Sequence, residues 1–293
     1  MRIGLIGLGL MGRPMAGHLL RAGHELHLWA RRPAALEEWR GLERVQLHEN
    51  AAAVARHAEL VVTVVADAPD VEQVSLGAEG LAEGAESGLI VVDMSTIAPA
   101  AARDIGARLE ARGIEFLDAP VSGGEVGAIN ATLTIMAGGK PEVFEKARPV
   151  LGCLGRSVTL IGPRGAGQVA KACNQILTGI GVAAVAEALN FARASGVDPA
   201  RVREALLGGF ASSRILENHG QRMLDRNFQP GFKAWMHQKD LRIVMDEAQR
   251  LGLVLPGTAV TAQMFNALVG SGGGEEDSIG MLKLLERLSG MER

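Results

Sequence analysis

The first twelve residues contain a short apolar run that leads directly into three closely spaced glycines. The run is Arg2 to Ile6, the glycines are Gly7, Gly9 and Gly12, and a helical pattern follows from Met15 to Arg21. A strand, a Gly-x-Gly-x-x-Gly turn and a helix in this order are typical of a dinucleotide-binding fold. The first glycine permits the tight turn, the second lets the backbone approach a pyrophosphate, and the third lets strand and helix pack closely. The N–H groups at the helix N-terminus would then face the phosphates.

The composition describes an ordinary globular protein. Of the 293 residues, 47% are apolar and 22% are charged, which suffices for two domains with sizeable cores. The formal net charge of -3 and the lack of a basic run predict no nucleic-acid partner. No uninterrupted apolar stretch approaches about 18 residues, so we expect no membrane span. With only two cysteines, Cys153 and Cys173, we expect free thiols in a reducing compartment, the cytoplasm.

The residues that are missing or scattered also restrict the chemistry. The chain has no tyrosine, which excludes the reductases that protonate their substrate with a Tyr-Lys pair. The two cysteines are distant in sequence, and the nearest histidines, His24 and His27, are offset so that a strand would send them to opposite faces. We therefore expect no metal site.

The order of the predicted elements gives the fold class. In the first half, short apolar runs alternate with helical patterns, as in a predominantly parallel sheet with crossover helices. We predict an α/β Rossmann-type N-terminal domain over residues 1–163 and an all-α C-terminal domain, for substrate binding and oligomerisation, over 164–293. The predicted strands are Arg2 to Ile6, Glu25 to Trp29, Leu60 to Val65, Leu89 to Asp93, Ile114 to Asp118 and Thr132 to Ala137, and the predicted helices after the boundary cover about 167–195, 198–208, 213–225, 237–251, 257–270 and 278–289.

The long interdomain helix predicted over about 167–195 carries two stripes at helical spacing. The apolar stripe predicts a core face, whereas the polar stripe lasts only two turns. The polar stripe fits either a local pocket in a buried helix or a solvated helix start with Lys171 at the surface. A long, mostly apolar helix also needs covering, which predicts a homodimer or homotetramer. The apolar stripe is Val169, Cys173, Ile176, Leu177 and Ile180, and the polar stripe is Lys171, Asn174, Gln175 and Thr178.

The end of the second predicted strand bears on the choice of cofactor. An NAD-binding fold usually places Asp or Glu there, about 20 residues beyond the glycines, to hold the ribose 2'-hydroxyl. This chain has Ala30, Arg31 and Arg32 instead. Two guanidiniums without a carboxylate would attract a 2'-phosphate, so we predict a preference for NADP(H). The alternative is that both arginines are surface charges and that NAD is used as well.

Four motifs, in order and spanning essentially the whole chain, resemble those of the β-hydroxyacid dehydrogenase family, which includes 3-hydroxyisobutyrate dehydrogenases and tartronate semialdehyde reductases. The first is Gly4 to Met15, in which Leu10-Met11 stands between the glycines and Pro14-Met15 follows. The others are Asp118 to Gly124, Gly167 to Gln175, and Lys239 to Leu241. The resemblance implies an NAD(P)-dependent oxidoreductase that interconverts a small 3-hydroxy acid and its semialdehyde.

The resemblance also implies roles for individual residues. Lys171 would be the general acid and base, because a positive charge stabilises the developing alkoxide and burial favours the neutral lysine that accepts a proton. The Ser122 loop would present backbone N–H groups and a hydroxyl to a substrate carboxylate. The implied substrate residues are Ser122, Gly123, Gly124 and Asn174, and the implied cofactor residues are Gly7, Leu8, Gly9, Leu10, Met11, Gly12, Val65, Thr96 and Lys239.

Two segments bear on the substrate. The stretches 208–213 and 227–233 look more like those of tartronate semialdehyde reductases, which favours reduction of 2-hydroxy-3-oxopropanoate to glycerate. The rival substrates are 3-hydroxyisobutyrate, L-serine, succinic semialdehyde and glyoxylate. Lys233 would meet a second polar end of the substrate, or else is a surface lysine. Val65-Ala66-Asp67 departs from the Leu-Pro usual in the family, so the adenine-side loop differs.

Two functions of other classes stay open at this point. A noncatalytic cofactor-binding module would keep the glycine turn but would not need Lys171. A 2-hydroxyacid dehydrogenase would use His219 or His237 as its acid-base group and would show a pH profile set by histidine, near about 6.5.

Overall fold

The computed structural model describes residues 1–291, and its internal contacts divide the chain into two compact units. The first unit is Met1–Lys171, and the second begins at Ala172. The division falls eight residues beyond the domain boundary predicted at residue 163. Each unit has an apolar core of its own.

The first unit is built on one nine-stranded sheet in the order β3-β2-β1-β4-β5-β6-β8-β7, with β9 beside β8. All pairings are parallel except those of β8 with β6 and β7, so the sheet is predominantly parallel, as predicted. The order of the first six strands is that of a dinucleotide-binding sheet. The strands are β1 Arg2–Ile6, β2 Glu25–Trp29, β3 Val45–Leu47, β4 Leu60–Thr63, β5 Ile90–Asp93, β6 Glu115–Asp118, β7 Val121–Ser122, β8 Leu133–Gly138 and β9 Gly155–Gly162.

Helices cover both faces of this sheet. Alternate residues of a strand point to opposite faces, and Leu5 and Ile6 of β1 accordingly belong to two different apolar clusters. Both faces are therefore buried, as the continuous Val/Ile/Leu runs predict. The helices are α1 Gly12–Arg21, α2 Ala51–His57, α3 Ala68–Leu76, α4 Leu81–Gly84, α5 Pro99–Glu110, α6 Gly124–Ile129 and α7 Pro141–Gly152, with a 3-10 helix over Pro33–Trp39.

The second unit is helical in its described residues. The apolar core of this unit is the third cluster of the chain and includes Leu241, Phe265 and Ile279, which are all fully buried. Asp198 caps α9 by accepting a hydrogen bond from the Ala200 N–H at 2.9 Å, which confirms the start of the helix predicted from about residue 198. The helices are α8 Ala166–Ala194, which begins in the first unit, α9 Pro199–Leu207, α10 Gly220–Leu224, α11 Ala234–Leu251, α12 Pro256–Gly270 and α13 Met281–Leu288, with a π-helical turn over Ile215–His219 and 3-10 turns over Gly273–Glu275 and Ser278–Gly280.

Helix α8 is the one helix within residues 1–291 that is long and apolar enough to cross a membrane by length and composition. The core helix of a globular protein meets the same criterion. Half of its most apolar stretch is buried in the protein, and the helix carries the buried polar side chains of Gln168, Lys171 and Gln175.

Candidate functional site

Three loops with predicted cofactor residues follow three neighbouring parallel strands of the first unit. The glycine turn follows β1, Val65 follows β4, and Thr96 follows β5. Because the carboxyl ends of parallel strands meet at the same edge of a sheet, the three loops lie along one edge. The Val65 N–H donates to Ser95 Oγ at 2.9 Å and joins two of them. Strand β4 ends at Thr63 rather than at the predicted Val65, so Val65 is a loop residue.

The three glycines of the turn have different surroundings. Gly7 has a φ of +102°, and a Cβ on it would collide with the Val64 carbonyl oxygen. A Cβ on Gly12 would collide with the Gly7 carbonyl oxygen, so this glycine lets α1 pack against the end of β1. A Cβ on Gly9 would meet nothing within 4 Å. The turn therefore leaves open space at its middle glycine, where a pyrophosphate would need to approach the backbone, and the residues present fit a dinucleotide.

The remaining residues of the turn divide between core and surface. Leu8 is buried in one of the two apolar clusters of the first unit, and Met11 packs against that cluster. Leu10 is 52% exposed. Leu10 is thus the apolar side chain that the turn presents outward.

The two arginines after β2 are exposed, and one of them has an acidic partner. The Arg31 guanidinium donates from Nη1 to Asp70 Oδ1 at 2.9 Å, and the Arg31 side chain is 81% exposed. Asp70 belongs to the first turn of α3, so no sequence spacing indicates this pair. The segment after β2 itself holds no carboxylate, as the sequence predicts, but a carboxylate reaches it from another element.

The loop Ser122-Gly123-Gly124 joins the short strand β7 to α6. Both glycines have positive φ angles, +132° for Gly123 and +60° for Gly124, a backbone conformation that other residues adopt rarely. Ser122 is half-buried and pairs with Thr134 of β8 in the sheet register. The loop can present backbone N–H groups together with a hydroxyl, which is the donor set that a carboxylate needs.

The start of α8 has its polar stripe inside and its apolar stripe outside. Lys171 is only 7% exposed and Gln175 is 3% exposed, whereas Val169 is 44% and Leu177 is 72% exposed. Cys173 is exposed, so its predicted place in the core is wrong. Helical periodicity separates the two faces of a helix but does not say which face packs inward. The burial of Lys171 contradicts the solvated helix start, and the local pocket stays the predicted role of the polar stripe.

Two buried carboxyl groups stand side by side at the same sheet edge. Asp93 ends β5, Asp118 ends β6, and the two are partners in the sheet register. Burial raises the pKa of Asp93 to about 6, although it accepts a hydrogen bond from Thr63 Oγ1 at 2.8 Å. Burial also raises the pKa of Asp118, while the N–H groups of Gly165 and Gln168 oppose that shift. Asp118 therefore has the better-stabilised charge, and Asp93 holds a proton more readily.

In the second unit, Asn174 and Lys239 are linked through two residues to which sequence reasoning gave no role. Asn174 Nδ2 donates to Gln175 Oε1 at 2.8 Å, and Gln175 Nε2 donates to Asp240 Oδ2 at 2.6 Å. Lys239 Nζ lies 3.1 Å from Asp240 Oδ1. Gln175 and Asp240 are both nearly fully buried, so they orient the amide of Asn174 and the ammonium of Lys239. The sequence holds a signal for both residues, because Gln175 belongs to the polar stripe of α8 and Asp240 follows Lys239 in the fourth motif.

Lys233 lies in a segment that is held by the residues just before α13. Its Nζ is 2.6 Å from Glu275 Oε2, and its backbone forms an isolated bridge with Asp277. Asp277 is 1% exposed and accepts hydrogen bonds from the N–H groups of Gly231 and Phe232. Lys233 is therefore an ion-paired lysine on a well-anchored segment.

The two histidines of the alternative mechanism lie in buried surroundings. His237 is 2% exposed, and its ring packs 4.5 Å from the ring of Phe265 and 5.5 Å from that of Phe232. Burial lowers the pKa of His219, with Asp277 opposing the shift. The lowered pKa favours a neutral imidazole at His219.

Within residues 1–291, no group of three or more His, Cys, Asp or Glu side chains is arranged to hold a metal ion. The rings of His27, His48 and His57 do lie together, with centroids 5.1 to 5.5 Å apart, and His57 stacks on both of the others. The absence of a metal from the function stays a prediction.

Two family models together match almost the whole chain. One, described as the NAD binding domain of 6-phosphogluconate dehydrogenase, matches residues 2–162. The other, described as NAD-binding of NADP-dependent 3-hydroxyisobutyrate dehydrogenase, matches residues 165–285. The two matches meet close to the start of α8.

Individual relatives agree with these models. The 2-hydroxy-3-oxopropionate reductase of Escherichia coli strain K12 is 45% identical over 289 residues, covering 99% of this chain and 98% of that protein. The crystal structure of 3-hydroxyisobutyrate dehydrogenase from Salmonella typhimurium superimposes with a TM-score of 0.86 at 32% identity, over 97% of this chain and 99% of that one. The Mycobacterium tuberculosis 3-hydroxyisobutyrate dehydrogenase described with L-serine gives a TM-score of 0.87 at 28% identity, over 97% and 98%. As the four motifs predict, the chain belongs to the β-hydroxyacid dehydrogenase family of NAD(P)-dependent oxidoreductases.

Proposed function

We propose that this protein reduces 2-hydroxy-3-oxopropanoate to glycerate, with Lys171 as the general acid. The similarity to the Escherichia coli reductase over almost the whole of both chains supports the substrate. The observation that carries the chemistry is the burial of Lys171, 7% exposed, on a helix whose apolar side chains at Val169 and Leu177 face outward. A lysine that is buried while apolar residues of the same helix are exposed supports a functional role for its ammonium group inside the protein.

A nicotinamide cofactor supplies the hydride when it is bound. Lys171 donates a proton from Nζ to the carbonyl oxygen of the semialdehyde, and its positive charge stabilises the alkoxide as the hydride arrives. In the reverse direction, neutral Lys171 accepts the proton of the substrate hydroxyl. The positive-φ loop of Ser122, Gly123 and Gly124 binds the substrate carboxylate through backbone N–H groups and the serine hydroxyl. Asn174, oriented by Gln175, hydrogen-bonds a substrate oxygen, and Lys233 meets the second polar end.

We propose that the cofactor residues of the first unit are the turn over Gly7 to Gly12 and the loop residues Val65 and Thr96. In the second unit, Lys239 is the proposed cofactor residue. We propose NADP(H) as the preferred cofactor, because Arg31 and Arg32 are exposed after β2 and a 2'-phosphate carries the charge that guanidiniums bind in bidentate fashion. NAD is the alternative. Rates with NADPH and NADH at equal concentrations decide between them, and faster turnover with NADH would contradict the proposal.

A homodimer or homotetramer covers the outward face of α8. Phe191 is 76% exposed and lines a groove of about 780 Å³ between α8 and α13, together with Ala188 and Leu285. An apolar surface of this kind is typical of a subunit interface. Phe191→Glu should lower the mass measured by light scattering after size-exclusion chromatography.

Both cysteines are free thiols, which fits a reducing compartment such as the cytoplasm.

The deciding experiment assays a panel of small semialdehydes and 3-hydroxy acids with the wild type and with Lys171→Ala. We expect the highest kcat/KM with 2-hydroxy-3-oxopropanoate, and we expect Lys171→Ala to lose turnover by at least about 100-fold while it still binds cofactor. Lys146→Ala, a change at an exposed lysine of α7, is the matched control. A higher kcat/KM with 3-hydroxyisobutyrate, L-serine or succinic semialdehyde would reassign the substrate. Retained turnover in Lys171→Ala would favour a histidine mechanism.

A further inference from the structure

The first turn of α8 is held by a carboxylate from a distant strand. Asp118, fully buried at the end of β6, accepts hydrogen bonds from the Gly165 N–H at 2.6 Å and from the Gln168 N–H at 2.9 Å. These are N–H groups that a helix start leaves without partners inside the helix. A Cβ on Gly138 would lie 2.7 Å from Asp118 Oδ1, so β8 can pass this point only as glycine. Asp118 thereby fixes where α8 begins.

The side chain of Gln168 reaches from this first turn to the loop after β5. Its Nε2 donates to the Ser95 carbonyl oxygen at 2.8 Å, and its Oε1 accepts from the Ile97 N–H at 3.2 Å. Gln168 is 1% exposed. The amide thus hydrogen-bonds the backbone on both sides of Thr96, the cofactor residue that the family resemblance implies lies near the nicotinamide.

Gln168 and Lys171 belong to successive turns of one helix. Three residues correspond to about 300° of rotation and about 4.5 Å of rise, so both side chains leave nearly the same side of α8. We infer that Gln168 is a positioning residue that fixes the proton-donating turn of Lys171 against the Thr96 loop, with Asp118 holding the helix start. This inference rests on the proposed function of Lys171.

The distance between these two parts matters because hydride and proton must reach neighbouring atoms of one carbonyl group. A displacement of about 1 Å in such an arrangement can cost about 100-fold in rate. One glutamine that hydrogen-bonds both sides of the Thr96 loop and lies one turn from Lys171 limits that displacement. The residues that make these contacts all lie within the first unit.

Two substitutions at Gln168 test the inference. Gln168→Met keeps the length of the side chain and removes both hydrogen bonds, and we expect kcat to fall about 10- to 100-fold while the KM for cofactor changes less than about threefold. The deuterium isotope effect on kcat, measured with the deuterated reduced cofactor, should rise because hydride transfer becomes slower. Val143→Ala, which removes buried atoms from α7 in the same unit, is the control for a general loss of stability.

Gln168→Glu gives a readout that lost stability alone would not produce. A protonated glutamic acid can accept from the Ile97 N–H and donate to the Ser95 carbonyl oxygen, as glutamine does, whereas the carboxylate would face that oxygen with no proton to share. Burial raises the pKa of such a glutamate above its ordinary value of about 4.3. The kcat of Gln168→Glu relative to the wild type at the same pH should therefore rise several-fold as the pH falls from 8 to 5.5.

Each outcome supports or overturns the inference. A kcat for Gln168→Met within about twofold of the wild type, or a Gln168→Glu ratio that does not change with pH, would overturn it and leave the role of Lys171 intact. If Gln168→Met does not fold, the pH dependence of Gln168→Glu decides alone. Retained turnover in Lys171→Ala would overturn the proposed function, and this inference with it.

Discussion

Arg31 and Asp70 form an ion pair at 2.9 Å between the end of β2 and the first turn of α3, beside the proposed position of the 2'-phosphate. The pair orients the guanidinium, but it also places a negative charge near a phosphate that would carry two. An exposed pair of this kind contributes little stability, about 0 to 1 kcal/mol. The pair therefore matters little for folding, and its bearing on function is the negative charge of Asp70 beside the proposed phosphate position.

Asp70→Asn should strengthen NADPH binding. The substitution keeps a hydrogen-bond acceptor for Arg31 and removes the carboxylate charge, so we expect the KM for NADPH to fall about two- to fivefold at low salt, with the KM for NADH unchanged. Initial rates at varied cofactor concentration measure both values. Asp104→Asn, which neutralises one of the two carboxylate partners of Arg108 on α5, controls for a change in net charge. An equal improvement with NADH would contradict the interpretation.

Gly9→Ala and Gly12→Ala should separate cofactor binding from folding. A Cβ at position 9 meets nothing within 4 Å, so Gly9→Ala should unfold at the wild-type temperature but bind cofactor at least about tenfold more weakly. A Cβ at position 12 meets the Gly7 carbonyl oxygen, so Gly12→Ala should lower the free energy of unfolding by about 1 to 3 kcal/mol even without cofactor. Thermal unfolding and cofactor titration by fluorescence measure the two effects. Unchanged cofactor affinity in Gly9→Ala would place the pyrophosphate elsewhere.

Local sequence patterns predict most of the strands of the sheet. They do not predict the strands whose place in the sheet depends on pairing with a neighbouring strand. All six predicted strands exist, because most of their residues are apolar and buried, but the sequence analysis does not predict β3, β7 and β9. Strand β7 has only two residues, and β9 is largely exposed, with polar residues such as Arg156 and Ser157, so neither forms an apolar run. Pairing with β8 holds both strands in the sheet.

The residues of the candidate site are predicted by sequence motifs, whereas the long-range contacts that orient them are not. Lys171 and the Ser122 loop lie in recognisable motifs, so the sequence points to them. The hydrogen bonds of Gln168 to the Thr96 loop join residues more than 70 positions apart, and the Arg31–Asp70 pair joins residues 39 positions apart. Spacing along the chain carries no information about contacts at that separation. The burial of the polar stripe of α8 was likewise one of two open interpretations until its neighbours were known.

Glu286 should make the second unit sensitive to acid. Burial raises its pKa, but hydrogen bonds from Arg226 and Arg193 outweigh that effect, so the pKa of Glu286 is lowered overall. A carboxyl group with a lowered pKa contributes stability above its unfolded value, about 4.3, and this contribution is lost as the pH falls through the folded value. Glu286→Gln leaves two arginines beside an uncharged amide, so we expect a loss of about 3 kcal/mol at pH 7 that shrinks toward pH 3.

Urea unfolding of Glu286→Gln and the wild type across this pH range measures that loss. Glu217→Gln removes the partner of Arg214 from a pair whose side chains are 48% and 85% exposed, and it should change stability by less than about 1 kcal/mol. A Glu286→Gln difference that stays constant from pH 7 to pH 3 would show that the ionised carboxylate is not its source.

The histidine cluster should add a second acid-sensitive step in the first unit. His27 Nδ1 and His48 Nε2 are 3.0 Å apart, and burial together with the charges of His27 and His57 lowers the pKa of His48 to about 4. The unfolded chain binds a proton at His48 near pH 6.5 and the folded chain does not, so this residue favours unfolding increasingly as the pH falls from 6.5 toward 4. His48→Gln should remove about 1 to 2 kcal/mol of that loss, a value reduced because His48 is only half-buried, and should match the wild-type pH dependence above pH 7. Because the interaction with His57 is one of the causes that lower the pKa of His48, His57→Gln should raise that pKa, measured by NMR titration of the His48 ring. If the pKa of His48 does not change in His57→Gln, the two rings do not interact electrostatically. If the stability of His48→Gln depends on pH as that of the wild type does, His48 is not a source of the acid sensitivity.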